Sequence, residues 1–425
     1  MAVFLSRLHH IALHVTNVEK VSHELVSKFK FNLFATRLTD SCRQLAFRKG
    51  AAVFVVNERP AIKENGPQSR RVLAGTDTAE WNGKCLYDVS PRYSVDTACN
   101  VCFEVKDVER SFKALRALGC EFLVPPTTVR DHGGPVDYMV LKSVVGNVSH
   151  TLIDRTNYEG TFLPGYDAVS GICDVEECPV THFDHVTFAC CRKSTPHIMR
   201  WYEKLFAFQR FFIDRNEDVD DGYIVNHEGI GLRLTAMEYW KCSKAGVKLP
   251  SADKNKPDCK FVIAESLPEQ GRNQVDTFLE QHRGPGIQHV ALYTNDIVAT
   301  AHTMAEGGVQ FFSPPPAYYT KVGKQQEIQE AGYDPQILAE HGILLDTDLH
   351  QDVSSQAGEN NRYLLQVFTK PIFAEDTFFL ELIERRGATG FGEGNIRALW
   401  RSVQTYIENE AAGCQRLSEP QSAQH

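Results

Sequence analysis

Two apolar runs stand out toward the C-terminal end of the chain, Tyr363-Leu-Leu-Gln-Val-Phe-Thr-Lys-Pro371 and Thr377-Phe-Phe-Leu-Glu-Leu-Ile-Glu384. Both are rich in aromatic and β-branched residues, and the short connection between them contains Pro371, so they predict an antiparallel pair of strands. Because strand side chains alternate, Phe379, Glu381 and Ile383 share one face, while Phe378, Leu380 and Leu382 share the other. Glu381 thus falls in the middle of a strand that is apolar on both sides. A buried carboxylate there needs an Arg, a Lys, a proton or a metal ion to meet it.

The same alternation, interrupted by helical spacing, recurs through the chain. Residues 8–16 read as a strand, 17–28 as a helix, and 29–34, 43–48 and 52–57 as three more strands. The order returns as strand 100–105, helix 108–118 and strands 121–125, 138–142 and 148–154. It returns again as strand 183–188, helix 196–206 and strands 210–214, 223–226 and 231–236. A fourth copy opens at 286–292, continues with a helix at 296–307, and closes with strands 310–312, 342–346, 364–369 and 378–384; an insertion at about 314–340 swells its middle. Four copies of one βαβββ unit account for the length without an unrelated domain. The fold class expected is α+β.

Between 158 and 180 the alternation stops and Pro164, Gly165, Gly171 and Pro179 accumulate, which marks a linker. The division expected is a first domain at 1–157, the linker at 158–180, a second domain at 181–410 and a disordered tail at 411–425. Residues 60–98 and 350–363 read as polar loop insertions. Gly390-Phe-Gly-Glu-Gly394 lacks the βαβ context of a dinucleotide loop and reads instead as a flexible hinge into a lid helix at 395–409.

Composition narrows the function classes. Hydrophobic residues at 42% and charged residues at 23% are ordinary for a globular chain, and a net charge of -9 without a long basic run argues against nucleic acid. No apolar run is long enough for a membrane helix. The 12 cysteines are scattered and read as reduced thiols; the lone C-x-x-C, Cys99-Asn-Val-Cys102, opens a strand and has no second pair to complete a zinc site. The first 18 residues contain Arg7 and no acid, which suits either a mitochondrial presequence or a first strand.

Candidate chemistry comes from the opening strands of the third and fourth copies. With alternation, Phe183, His185 and Thr187 point into one cup, and Ile287, His289, Ala291 and Tyr293 point into it from the neighbouring strand. His185, His289 and Glu381 then face one cavity, and two His with one carboxylate and open positions is a set that holds non-haem Fe(II). A single His in an apolar strand is more often a core residue, but the repeat adds information. The first half keeps His10 at the place of His185 and has Asn100 and Thr151 at the places of His289 and Glu381. Stability alone gives no reason for that asymmetry.

The segments Gly286-Ile-Gln-His-Val-Ala-Leu292, Leu364-Leu-Gln-Val-Phe-Thr-Lys-Pro371, Phe378-Phe-Leu-Glu381 and Gly390-Phe-Gly-Glu-Gly-Asn395 resemble those of the 4-hydroxyphenylpyruvate dioxygenase and 4-hydroxymandelate synthase family. The likeness spans about residues 6–405. Ala264-Glu-Ser-Leu-Pro268, Gln325-Gln-Glu-Ile, Gly342-Ile-Leu-Leu-Asp346 and Gly394-Asn-Ile-Arg-Ala-Leu-Trp400 are similar to an animal branch of it. The resemblance implies two vicinal-oxygen-chelate domains, each an open half-barrel of two modules. It also implies one Fe(II) per chain on His185, His289 and Glu381, with an aromatic 2-oxo acid and O2 as substrates. As pocket residues it implies Gln274, Gln288, Gln366, Phe368, Phe379, Phe391, Asn395 and Ile396. Two positions depart from the ring-hydroxylating members: Leu234 stands where they carry Ser, and Ala264 where they carry Asn. The expected reaction is therefore 4-hydroxyphenylpyruvate to 4-hydroxymandelate and CO2. Homogentisate formation, or a non-catalytic binding role, is the alternative. The animal branch further implies a mitochondrial location, a contribution to ubiquinone headgroup synthesis and, as one arrangement, a homodimer.

Overall fold

The computed structural model describes residues 2–39, 42–59, 85–89, 94–169, 178–213, 217–219, 221–227, 230–239, 260–267, 271–347, 362–388, 390–392, 394–396 and 398. Most of the expected insertions at 60–98 and 350–363, most of the expected lid helix and the whole tail lie outside these residues.

The first sheet contains β1 (Arg7–Val15), β2 (Asn32–Thr39), β3 (Cys42–Lys49), β4 (Ala52–Glu58), β5 (Thr97–Glu104), β6 (Phe122–Asp131), β7 (Gly134–Lys142), β8 (Ser149–Asp154) and β9 (Asp167–Ala168), ordered β6-β7-β8-β5-β1-β4-β3-β2-β9. The second contains β10 (Val180–Cys190), β11 (Phe208–Phe211), β12 (Tyr223–His227), β13 (Ile230–Tyr239), β14 (Lys260–Ser266), β15 (Gly286–Thr294), β16 (Leu344–Thr347), β17 (Tyr363–Phe368) and β18 (Phe379–Arg386). Its order is β11-β13-β14-β10-β15-β18-β17-β16, with β12 paired to β13.

Both sheets follow one plan. The opening strands of two modules lie antiparallel at the centre, β1 beside β5 and β10 beside β15. Each module's last strand then returns parallel to its own first: β4 to β1, β8 to β5, β14 to β10 and β18 to β15. A parallel return needs a crossover, and each module supplies one helix for it. These are α1 (Val18–His23, continued by a π-helical turn at Glu24–Lys28), α2 (Val108–Ala117), α3 (Thr195–Phe206) and, after the extra helix α4 (Gln274–Gln281), α5 (Ile297–Glu306). Asn17, Asp107 and Asp296 start three of them by accepting a hydrogen bond from the N–H three residues on.

One face of each sheet carries these helices, and their apolar stripes merge into a single core containing Val18, Leu115, Tyr202 and Met304. The other face is concave and holds separate clusters, one around Tyr138 and Phe162 in the first half and others around Leu234, Phe379 and Ile383 in the second.

The structure corrects several sequence expectations. Lys260–Ser266, which follows a long polar stretch, is a strand and closes the third module. Residues 310–312 make only one bridge, Phe311 to Thr369. The insertion at 314–340 folds into α6 (Ala317–Thr320), α7 (Val322–Glu330) and α8 (Pro335–His341). Phe183 and Ile287 do not face the cup. Register shifts between Phe183 and His185, and between Thr187 and Phe188 where the partner steps from His289 to Ile287, break the alternation and send both side chains into the helix-covered core.

Candidate metal centre

Three central strands bring the site together. On β10 and β15, Thr187 pairs with His289 and His185 with Ala291; on β15 and β18, Ala291 pairs with Glu381. His185 and Glu381 therefore flank Ala291, whose small side chain leaves room between them, and His289 lies two residues along the same face. The ligating atoms of His185, His289 and Glu381 all lie within 4.8 Å of one another, and all three residues are buried.

Their orientations converge. Glu381 Oε2 lies 3.1 Å from His185 Nε2 and 3.6 Å from His289 Nε2. Its other oxygen, Oε1, accepts a 2.8 Å hydrogen bond from Gln366 Nε2, and Gln366 Oε1 accepts one of 3.0 Å from Asn395 Nδ2. On the far side of His185, Nδ1 lies 2.9 Å from Asp184 Oδ1, and Arg385 grips the same carboxylate at 2.7 and 2.8 Å through Nε and Nη2. A ring that donates Nδ1–H to a carboxylate keeps its Nε2 lone pair for a metal.

The electrostatics follow from burial and partners. Burial works against charge on Asp184, yet Arg385 outweighs it and holds the carboxyl well below its usual range. Burial also opposes a charged His185, but Glu381 and Asp184 lift its pKa to about 9, so a metal competes with a proton for Nε2. His289 is pushed well down by burial and by its proximity to His185, which favours the neutral imidazole that ligates metal. Its Nδ1 is a buried nitrogen without a hydrogen-bond partner among the described residues. Two imidazole nitrogens and one carboxylate oxygen converging from one side, with the other carboxylate oxygen already satisfied, fit a divalent ion that keeps open positions.

The walls are aromatic and apolar. Phe379 stacks on His289 with centroids 4.7 Å apart, and Phe391 meets His185 edge-on at 5.1 Å. Phe368 approaches His289 at 6.3 Å. Leu234 and Ala264 are direct cross-strand partners on β13 and β14, and they share a buried cluster with Phe391 and Ile396. Gln288 on β15 and Gln274 at the start of α4 are buried and make no hydrogen bond to the three ligands; among the described residues Gln288 Oε1 and Gln274 Nε2 have no partner. The Gly-rich segment brings the chain close to β17. Gly392 has φ +69°, and a Cβ there would lie 2.9 Å from Leu364 Cδ2 and 3.1 Å from Gln366 Oε1.

Sequence reasoning missed Asp184 and Arg385. Arg385 was accessible to it, because it sits four residues after Glu381 on the same strand face. Asp184 was not, because strict alternation turns it away from His185.

No family model matches the chain. The 4-hydroxyphenylpyruvate dioxygenase-like protein of Mus musculus is 42% identical over 403 residues, covering 94% of this chain and 96% of that protein. The protein of the same description in Homo sapiens is 42% identical over 408 residues, covering 95% and 98%. The 4-hydroxyphenylpyruvate dioxygenase of Yarrowia lipolytica is 30% identical over 319 residues, covering 73% and 72%. Among solved structures, a variant of 4-hydroxymandelate synthase from Streptomyces coelicolor matches with a TM-score of 0.70 over 95% of this chain and 100% of that one. At 22% identity this is a likeness of fold.

Proposed function

Because the chain belongs to the 4-hydroxyphenylpyruvate dioxygenase family, we propose that it binds one Fe(II) through His185, His289 and Glu381 and converts 4-hydroxyphenylpyruvate and O2 to 4-hydroxymandelate and CO2. The convergence of those three side chains on one point carries the dioxygenase reading. Bound iron would supply the centre at which a 2-oxo acid and O2 meet and exchange electrons.

The chain's own residues set the conditions for that chemistry. Asp184 holds the Nδ1 proton of His185, and Arg385 keeps Asp184 ionised, so Nε2 is the free donor. Gln366 ties down one oxygen of Glu381 and Asn395 fixes the Gln366 amide, so Oε2 faces the two imidazoles and Glu381 acts as a ligand, not as a general base. Phe379, Phe391 and Phe368 exclude water from around the histidines.

The choice of product rests on Leu234 and Ala264. They sit directly opposite each other in the buried cluster that includes Phe391, and neither offers a hydrogen bond to a substrate's polar end. Attack on the ring requires that end to be fixed, whereas attack on the benzylic carbon does not. The test is to incubate iron-loaded protein with 4-hydroxyphenylpyruvate under oxygen and identify the aromatic product by chromatography and mass spectrometry. 4-Hydroxymandelate supports the proposal; homogentisate as the main product refutes the selectivity, and no turnover refutes the enzyme.

The proposal extends to a mitochondrial location and a supply of aromatic precursor for ubiquinone headgroups. Arg7–Val15 is a central strand of the first sheet, so an import signal there has to survive transit uncleaved. Fusing residues 1–30 to a fluorescent reporter tests the location, and a diffuse cytosolic signal from both this fusion and the full chain counts against it. Labelled 4-hydroxyphenylpyruvate appearing in ubiquinone only when the protein is present tests the second. A homodimer is proposed on resemblance alone and is read directly by light scattering.

A further inference from the structure

Cys42, the first residue of β3, and Cys85, the first residue of the segment 85–89, place their sulfurs 3.8 Å apart. That segment is threaded into the concave face of the first sheet. Leu86 N donates to Gln44 Oε1 at 3.2 Å, Gln44 Nε2 returns a 3.1 Å bond to Leu86 O, and Thr151 donates to Tyr87 O at 2.6 Å. Asp88 then receives His14, Asn57 and Asn100. Since a disulfide requires a sulfur separation of about 2.05 Å, closing this gap asks the sulfurs to approach by under about 2 Å.

The two thiols are chemically unequal. The hydrogen bond from Cys85 and, against the opposing effect of burial, the Arg37 guanidinium draw the Cys42 pKa down to about 7. The same hydrogen bond, together with burial, pushes Cys85 up, so the shared proton stays on Cys85. Both residues are 8% exposed, whereas Cys99, Cys102 and Cys190 are at most 1% exposed and pushed well up by burial. A small oxidant reaches the first pair more readily than these three; Cys191 is exposed and Cys120 partly so, and what sets Cys42 and Cys85 apart is that each has the other within 3.8 Å.

We propose that Cys42 and Cys85 form a redox-sensitive pair in which a hydroperoxide drives a disulfide that pins segment 85–89 to β3. In the first step the Cys42 thiolate attacks a peroxide oxygen, the O–O bond breaks, and Cys42 becomes a sulfenic acid while hydroxide leaves. In the second, Cys85 attacks Cys42 Sγ; the sulfenic hydroxide departs and the Cys85 proton balances it. Overall two thiols lose two electrons and one hydrogen peroxide becomes two waters. A dithiol reverses the change by exchange.

The test uses the full-length protein, treated with a small excess of hydrogen peroxide, alkylated, digested without reductant and mapped by mass spectrometry. A peptide cross-link between Cys42 and Cys85 is expected, reversed by dithiothreitol. In Cys85→Ser, Cys42 should be trapped as a sulfenic acid that dimedone captures; in Cys42→Ser, Cys85 should remain alkylatable. Arg37→Gln should slow cross-linking several-fold, because the thiolate loses its cation. Peroxide that leaves both thiols of the unmodified protein alkylatable, or that joins Cys42 to a different cysteine, overturns the proposal.

Discussion

The two sheets carry different side chains at the same register. In the first, His10 pairs with Cys102, Asn100 with Ala12, and Thr151 with Cys102; in the second, His185 pairs with Ala291, His289 with Thr187, and Glu381 with Ala291. Only the second set offers a carboxylate and two imidazoles. Asn100 and Thr151 are instead engaged with each other and their neighbours, while the ligating atoms of His10, His9 and Cys102 lie within 4.8 Å of one another. Asn100 Nδ2 lies 2.9 Å from each of Asp88 Oδ1, Ser149 Oγ and Thr151 Oγ1, while His14 Nε2 and Asn57 Nδ2 close on Asp88 Oδ2 at 2.8 and 3.1 Å. Buried polar groups need partners, and here Asp88 of the segment 85–89 supplies one to each of Asn100, Asn57 and His14. The second cup has no such plug among the described residues, and its three ligands meet around a shared point.

The sharpest attempt to break this comparison is to rewrite the first set as the second. Asn100→His with Thr151→Glu should create no second metal site. It should instead destabilise the first half, on the order of 5 kcal/mol, by burying a new carboxylate against Asp88. Thermal denaturation alongside metal analysis checks this, and a second bound iron would show that the plug does not exclude metal.

In the second half, Asp184→Ala leaves the buried Arg385 without its carboxylate and His185 without its Nδ1 acceptor. The expected cost is about 3–5 kcal/mol of stability and roughly a 10- to 100-fold loss of iron affinity. Denaturant titration and competition with a chelator read the two separately.

Acid acts on both halves through buried histidines; in the second, burial lowers His282 to about 4. In the first half, burial drives His10 and His150 down to about 4. A depressed folded-state pKa means that stability is fully present above the unfolded value near 6.5 and is lost as pH falls through about 4. Each of the two residues therefore costs about 3 kcal/mol across that window. His150→Gln should flatten the pH dependence of unfolding below pH 6; an unchanged slope would argue against a buried neutral imidazole there.

The smallest effect is on selectivity. Leu234→Ser with Ala264→Asn restores two polar groups to the second cup, each worth about 1 kcal/mol, and should raise the homogentisate fraction about ten- to thirtyfold. A product ratio that does not move shows that these positions do not steer the reaction.

Much of this contrast was visible in the sequence, because its elements are local. Alternation placed the opening strands of all four modules, and the repeat aligned His10, Asn100 and Thr151 with His185, His289 and Glu381 in the register the sheets show. What strict alternation hides is a bulge. One extra residue beside His185 turns Phe183 away and brings Asp184 around to Arg385, and nothing in the local pattern announces it. Lys260–Ser266 was missed for a different reason. Its place beside β10 depends on a parallel return from more than seventy residues earlier, and such long-range pairing leaves only a short apolar run in the sequence. Phe391, Asn395 and Ile396 entered through family likeness, since a Gly-rich stretch does not reveal which strand it crosses.

The account stands most directly on metal content. Purified protein loaded with Fe(II) under anaerobic conditions, desalted and assayed for iron should carry one iron per chain. Glu381→Ala, which removes the oxygen both imidazoles face, should carry none and consume no oxygen with 4-hydroxyphenylpyruvate. Full iron occupancy in the Glu381→Ala protein would contradict the assignment of the second half as the metal-binding half.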